Sequence, residues 1–142
     1  MHRLIKIRII RDLEHLEEQV RRGLDSWLEF QKSPPTFRPA ADFYETNQGL
    51  VLRLELAGVA VEDLSLSLAG HELTVRGRRR PPASEGIRRF IHLETTFGVF
   101  ERRFTLPIPV DSQGVEARYL DGILEVNLPR KEPQTRQIPV KP

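Results

Sequence analysis

Between Leu50 and Leu128 the apolar residues fall at every second position, run after run, and that property decides most of what the chain can become. In "GLVLRLELAG" Leu50, Leu52, Leu54 and Leu56 share one face, with Arg53 and Glu55 opposite. "LSLSLAG" repeats the alternation with Leu64, Leu66 and Leu68 against Ser65 and Ser67, and "ELTVRG" continues it with Leu73 and Val75. A period of two puts alternate side chains on opposite faces of a strand, so each run has one face to bury and one to leave in water. Several such runs at regular spacing, punctuated by Gly, Pro and Asp, predict an all-β fold, an antiparallel β-sandwich.

The sharpest local expectation is "VEARYLDGILEVNL". Asp121-Gly122 is the dipeptide that a two-residue type I′ turn prefers, because both central residues need positive φ. That turn sets Leu120 opposite Ile123, Tyr119 opposite Leu124, Arg118 opposite Glu125 and Ala117 opposite Val126, with an Arg118–Glu125 ion pair on the outer face. One strand breaks its own rule. In "VFERRFTLP" Phe100, Phe104 and Leu106 share a face and Arg102 falls between them on it. A lone buried charge costs several kcal/mol. Arg102 therefore either meets a partner at an interface or lays its stem on the Phe rings and sends its guanidinium outward.

Upstream the period changes. Ile9, Leu13, Leu16, Val20, Leu24 and Trp27 recur at spacings of four or three, which predicts an amphipathic helix. Asp12 is placed to cap it, and Glu17–Arg21 and Glu18–Arg22 are i, i+4 pairs in the favourable orientation. Before Asp12, Leu4 to Ile9 nearly alternates and is compatible with an extended strand instead. "SPPTFRP" then reads as a linker. The chain divides into residues 1–37, an arm with a Pro-rich linker; 38–131, the sandwich; and 132–142, an extended tail. The arm carries a continuous apolar surface, including Ile5, Ile7, Ile9, Leu13, Leu16, Val20, Leu24 and Trp27, that a monomer would not leave in water without aggregating. In the tail Ile138 and Val140 flank Pro139, and residues two apart in an extended chain point the same way.

What the chain lacks narrows its function. It has 142 residues, 39% hydrophobic and 30% charged, with a formal charge of +2 and no cysteine. Disulfides, thiolate catalysis and cysteine metal sites are excluded. The apolar run at the start is interrupted by basic residues, so no signal-peptide core and no membrane insertion are expected, and the default is a soluble, cytoplasmic protein. Only four lysines occur and none follows glycine, so there is no phosphate-binding loop. No G-x-S-x-G or H-E-x-x-H is present. His15–Glu18 and His92–Glu94 lack further ligands for a metal. "RGRRR" has no interleaved aromatics and reads as a solvated strand end rather than a nucleic-acid surface. Neither an enzyme nor a cofactor is expected.

"ARYLDGILEV" resembles the A-x-x-x-[ND]-G-x-L signature of the α-crystallin domain of the small heat-shock (Hsp20) proteins. "FGVFERRFTLP" is similar to that family's G-x-F-x-R-x-F-x-L-P strand, and "ADFYETNQGLVLRLELAGV" and "LTVRGRR" resemble the strands before it, in order, over roughly Arg38 to Lys131. Ile138-Pro139-Val140 matches the family's I-x-[IV] tail motif; Ala57 stands where the family usually has proline. The resemblance, of the bacterial type, implies an immunoglobulin-like sandwich and an ATP-independent holdase that captures unfolding proteins and keeps them from aggregating. It implies a dimer in which "RRFIHLE", with Phe90, Ile91 and Leu93, crosses to the partner's sheet, and it puts Arg102 near that interface. Higher homo-oligomers follow if the tail plugs a neighbour's groove between "LSLSLAG" and "VEARYL", lined by Leu66, Leu68, Val115 and Ala117. The apolar arm would bind clients, and ATP-dependent chaperones would refold them. The competing reading is a p23/CS-type adaptor, which shares the sandwich but usually lacks both arm and tail.

Overall fold

The alternating runs all become strands. The computed structural model describes residues 36–142 and the backbone of β1 (Ile7–Ile10). The predicted arm helix, and the side chains of Ile5, Ile7, Ile9, Leu13, Leu16, Val20, Leu24 and Trp27, lie outside the described residues. The other strands are β2 (Ala41–Glu45), β3 (Gly49–Glu55), β4 (Leu64–Ala69), β5 (Glu72–Arg79), β6 (Gly98–Thr105), β7 (Glu116–Leu120) and β8 (Ile123–Pro129). They form two four-stranded sheets, in the orders β1-β4-β5-β6 and β2-β3-β8-β7.

Alternation puts one face of each sheet inside. Leu50, Leu52, Leu54, Leu124, Val126 and Leu128 from one sheet meet Leu64, Leu66, Leu68, Leu73, Val75, Phe100 and Phe104 from the other. Each leucine so enclosed contributes about 1.5–3 kcal/mol before the entropy of ordering it. Phe43 on β2 meets Phe104 on β6 edge to face, ring centroids 5.6 Å apart. That contact stacks β2 over β6 at one side of the sandwich and puts β1 and β4 towards the other side, where β7 ends its sheet. Gly77 explains itself by a close approach: it pairs with Phe100, and a Cβ there would come within 2.5 Å of the Phe100 ring.

The hairpin has the register the sequence predicts, Leu120 opposite Ile123 through Ala117 opposite Val126. Asp121 at φ 53° and Gly122 at φ 76° supply the two positive values the turn demands. The expected ion pair is different. Glu125 lies in register with Arg118 on one side and Arg53 on the other, and its carboxylate lies 3.6 Å from Arg53 Nε. The arm supplies the other departure. Ile7–Ile10 is extended and runs parallel to β4, Ile7 opposite Leu66 and Ile9 opposite Leu68. An otherwise antiparallel sandwich thus carries one parallel edge strand.

Candidate functional site

Three surfaces carry groups that a self-sufficient domain would not place in water. The first is the connection from β5 to β6, residues 80–97, which contains no strand. Both its ends are fixed. Arg80 donates two hydrogen bonds to the Asp63 carboxylate, at 2.7 and 2.8 Å, and those bonds hold the Asp63 carboxyl below its ordinary pKa. At the other end Arg79 donates to the Thr96 carbonyl while its guanidinium sits 4.5 Å over the Phe37 ring, and Thr36 Oγ1 donates to the Phe97 carbonyl. Between these anchors Phe90, Ile91 and Leu93 project into solvent, Ile91 at 79% exposure. Ile87 joins them and went unmarked in the sequence, because it sits alone between Gly86 and Arg88 with no alternation to signal it. Among the described residues nothing pairs with the outer edge of β2, which ends its sheet.

The second surface is built around Arg102. It lies on the inner face of β6, in register with Val75, and reaches the rim of the sandwich where β6 stacks over β2. Its Nη1 donates to the Pro39 carbonyl at 2.6 Å, and its guanidinium lies 5.1 Å from the centre of the Phe104 ring. Burial, with the charge of Arg38 second, makes its charged form harder to hold than an ordinary arginine's. No carboxylate among the described residues forms an ion pair with it. Its neighbour Arg103 points the other way and shares Glu101 with Arg76 on the outer face. Burial raises the Glu101 pKa, but the hydrogen bonds from Arg103 and Arg76 outweigh it and leave the carboxyl below its ordinary value.

The third surface is the tail, taken with the β4 and β7 residues expected to receive it. Lys131 donates to the Pro109 carbonyl and Arg130 to that of Gln48, fixing the point from which the tail leaves. Beyond it Ile138 and Val140 are 80% and 93% exposed. Of the four residues expected to line a groove for them, Leu66 and Leu68 are buried and Val115 and Ala117 half-buried, and all four belong to the inner faces of β4 and of the β7 segment. Tyr119 holds β7 in place by donating to the Leu56 carbonyl, and burial raises its hydroxyl pKa. The edge of β4 on this side is where β1 pairs. Among the described residues no group of three or more His, Asp or Glu is placed to hold a metal ion, and no helix is long and apolar enough to cross a membrane.

Comparison with known proteins agrees with this architecture. The model of the Hsp20/alpha crystallin family matches residues 42–141. Spore protein SP21 of Stigmatella aurantiaca is 36% identical over 115 residues, spanning 80% of this chain and 68% of that protein. Heat shock protein 16 of Schizosaccharomyces pombe is 32% identical over 114 residues, covering 76% of this chain and 78% of its own. Among solved structures, a small heat-shock protein from Xylella fastidiosa superposes with a TM-score of 0.67 at 29% identity, over 75% of this chain and 99% of that one. The chain belongs to the Hsp20/alpha crystallin family, the small heat-shock proteins. Its class is that of the heat-shock chaperones.

Proposed function

We propose that this protein is an ATP-independent holdase: it binds partly unfolded proteins, keeps them from aggregating, and releases them to ATP-dependent chaperones in the cytoplasm. The observation that carries the reading is the set of large apolar side chains left in water on segments without a strand partner, Phe90, Ile91, Leu93, Ile138 and Val140. Exposed apolar groups on unpaired backbone fit addition to another chain's sheet edge. In this reading Phe90, Ile91 and Leu93 pair with the edge of β2 on a second copy and make a dimer. Arg102, which among the described residues has a carbonyl but no carboxylate beside it, meets an acidic group across that interface. Ile138, Pro139 and Val140 dock between β4 and β7 of a further copy, against Leu66, Leu68, Val115 and Ala117, and build larger assemblies.

The apolar arm, Ile5, Ile7, Ile9, Leu13, Leu16, Val20, Leu24 and Trp27, supplies the client-binding surface. Assembly covers it, and partial disassembly exposes it to clients. Flexible apolar contacts suit a binder with no fixed substrate. The test is heat-induced light scattering of an unrelated client. Suppression without nucleotide, rising with the ratio of this protein to client, is the expected result. Suppression that needs ATP, or none at any ratio, refutes the holdase.

A further inference from the structure

A strand has two edges, and those of β4 are both taken. One is paired with β5 from Leu64 to Ala69. The other is paired with β1, Ile7 opposite Leu66, Arg8 opposite Ser67, Ile9 opposite Leu68 and Ile10 opposite Ala69. Leu66 and Leu68 are also the β4 residues assigned above to the tail groove. The two segments share a pattern as well as a place: Ile7-Arg8-Ile9 and Ile138-Pro139-Val140 each set branched apolar residues two apart, the spacing that sends both side chains to one side of an extended chain. Among the described residues only the first is paired. No backbone hydrogen bond is formed within residues 132–142, where Ile138 and Val140 stand in solvent.

We infer that β1 is an internal occupant of the tail-docking site, so that docking of a neighbour's tail requires β1 to leave the β4 edge. The inference rests on the assignment of the tail to the β4–β7 side. The exclusion itself is geometric, since one row of backbone groups cannot serve two strands at once. The competition is between an intramolecular and an intermolecular ligand. β1 is tethered, and its effective concentration does not change when the protein is diluted, whereas the supply of neighbouring tails does. Dilution therefore favours β1 on β4 and a liberated tail. High concentration, where many tails act together, favours tail on β4 and transfers Ile7–Ile10 from its own sheet to the covered interior of the assembly. The same exchange ties assembly to the arm, because each docked tail frees the segment Ile7–Ile10 from its sheet.

The test uses the full chain carrying Ile138→Ser and Val140→Ser, so that its own tail does not compete, and a fluorescent peptide of residues 132–142 as probe. Its affinity is compared with and without Arg8→Pro plus Ile9→Pro. Proline has no N–H, and two consecutive prolines remove the donor at both parities of the strand, so one of them faces β4 whichever way the ladder runs. If β1 holds the edge about nine-tenths of the time or more, freeing it tightens peptide binding at least about tenfold. A second variant lacking residues 1–10 should behave as the proline pair does, and β-sheet circular dichroism unchanged in both shows that the sandwich persists. Equal peptide affinity in all three proteins overturns the inference while leaving the tail reading intact. No peptide binding to any of them, at concentrations where the native chain forms its assemblies, overturns the tail reading and the inference with it.

Discussion

Replacing Arg102 and Arg103 in turn by glycine separates two adjacent residues of identical chemistry by the faces they occupy. Arg102 faces inward at the rim, bonded to the Pro39 carbonyl at 2.6 Å and stacked near Phe104, without a carboxylate among the described residues. Arg103 is 54% exposed and shares Glu101 with Arg76. If a second copy supplies the acid for Arg102, losing the arginine leaves that acid desolvated and alone, a cost of about 3–5 kcal/mol. At 1.4 kcal/mol per tenfold this weakens the dimer by about two to three and a half orders of magnitude. Losing an exposed pair costs about 0–1 kcal/mol, at most about fivefold. Glycine weakens a strand wherever it is placed, and that cost is common to both variants. Sedimentation velocity over a dilution series reads the difference: Arg102→Gly is expected to dissociate at far higher concentration than Arg103→Gly. Equal shifts would refute the assignment of Arg102 to an interface. Within one protomer Arg102→Gly also removes a charge-assisted bond to Pro39, about 1.5–3 kcal/mol of stability, which denaturant melts measure separately.

Glu101→Gln is expected to lower stability by about 1–2 kcal/mol at neutral pH, as the carboxylate loses two guanidinium partners. The folded Glu101 pKa is depressed, so its contribution is complete above the unfolded value of about 4.3 and is lost as pH falls through the folded value; the gap between wild type and variant in denaturant melts should hold from pH 7 to about 5 and close below that. Tyr119→Phe should cost about 0.5–1.5 kcal/mol, read by the same melts, since the ring stays in place and the hydroxyl's bond to the Leu56 carbonyl is lost. Gly77→Ala drives a methyl against the Phe100 ring and the Asp63 carbonyl, and a loss of about 1–3 kcal/mol is expected; an unchanged melting point would show that the ring yields freely. Removing residues 1–33 should preserve β-sheet circular dichroism and abolish most client protection, and loss of the β-sheet signal would show that the arm is part of the core.

The sandwich was legible because alternation survives folding: every leucine of "LVLRLEL" and "LSLSLAG" that shares a face in sequence shares the core in space. Asp121-Gly122 was legible for a different reason, since turn chemistry and strand pairing demand the same register. Glu125 shows where pattern stops. A residue in a central strand has a neighbour on each side, and the hairpin reveals only Arg118; Arg53 enters through a ladder between distant segments. Arg102 was ambiguous because a face assignment says nothing about where a long stem ends, and within one protomer it ends on the Pro39 carbonyl, beside the Phe104 ring. Ile7–Ile10 satisfied a strand period while Ile9 also began a helical one, and no local rule specifies parallel pairing with β4. "RRFIHLE", a strand only by the family resemblance, forms none among the described residues, and nothing in its own residue pattern says otherwise.

Assembly through Ile138 and Val140 is measured most directly by light scattering after size-exclusion chromatography. The native chain should elute as assemblies much larger than a dimer. Ile138→Ser with Val140→Ser, at the same concentration, should fall towards the mass of dimers while its sandwich melts at nearly the same temperature, because both side chains are in solvent within the protomer and contribute nothing to its core. An unchanged mass for the double variant would contradict the account and leave the two hydrophobic residues as accidents of a solvated tail.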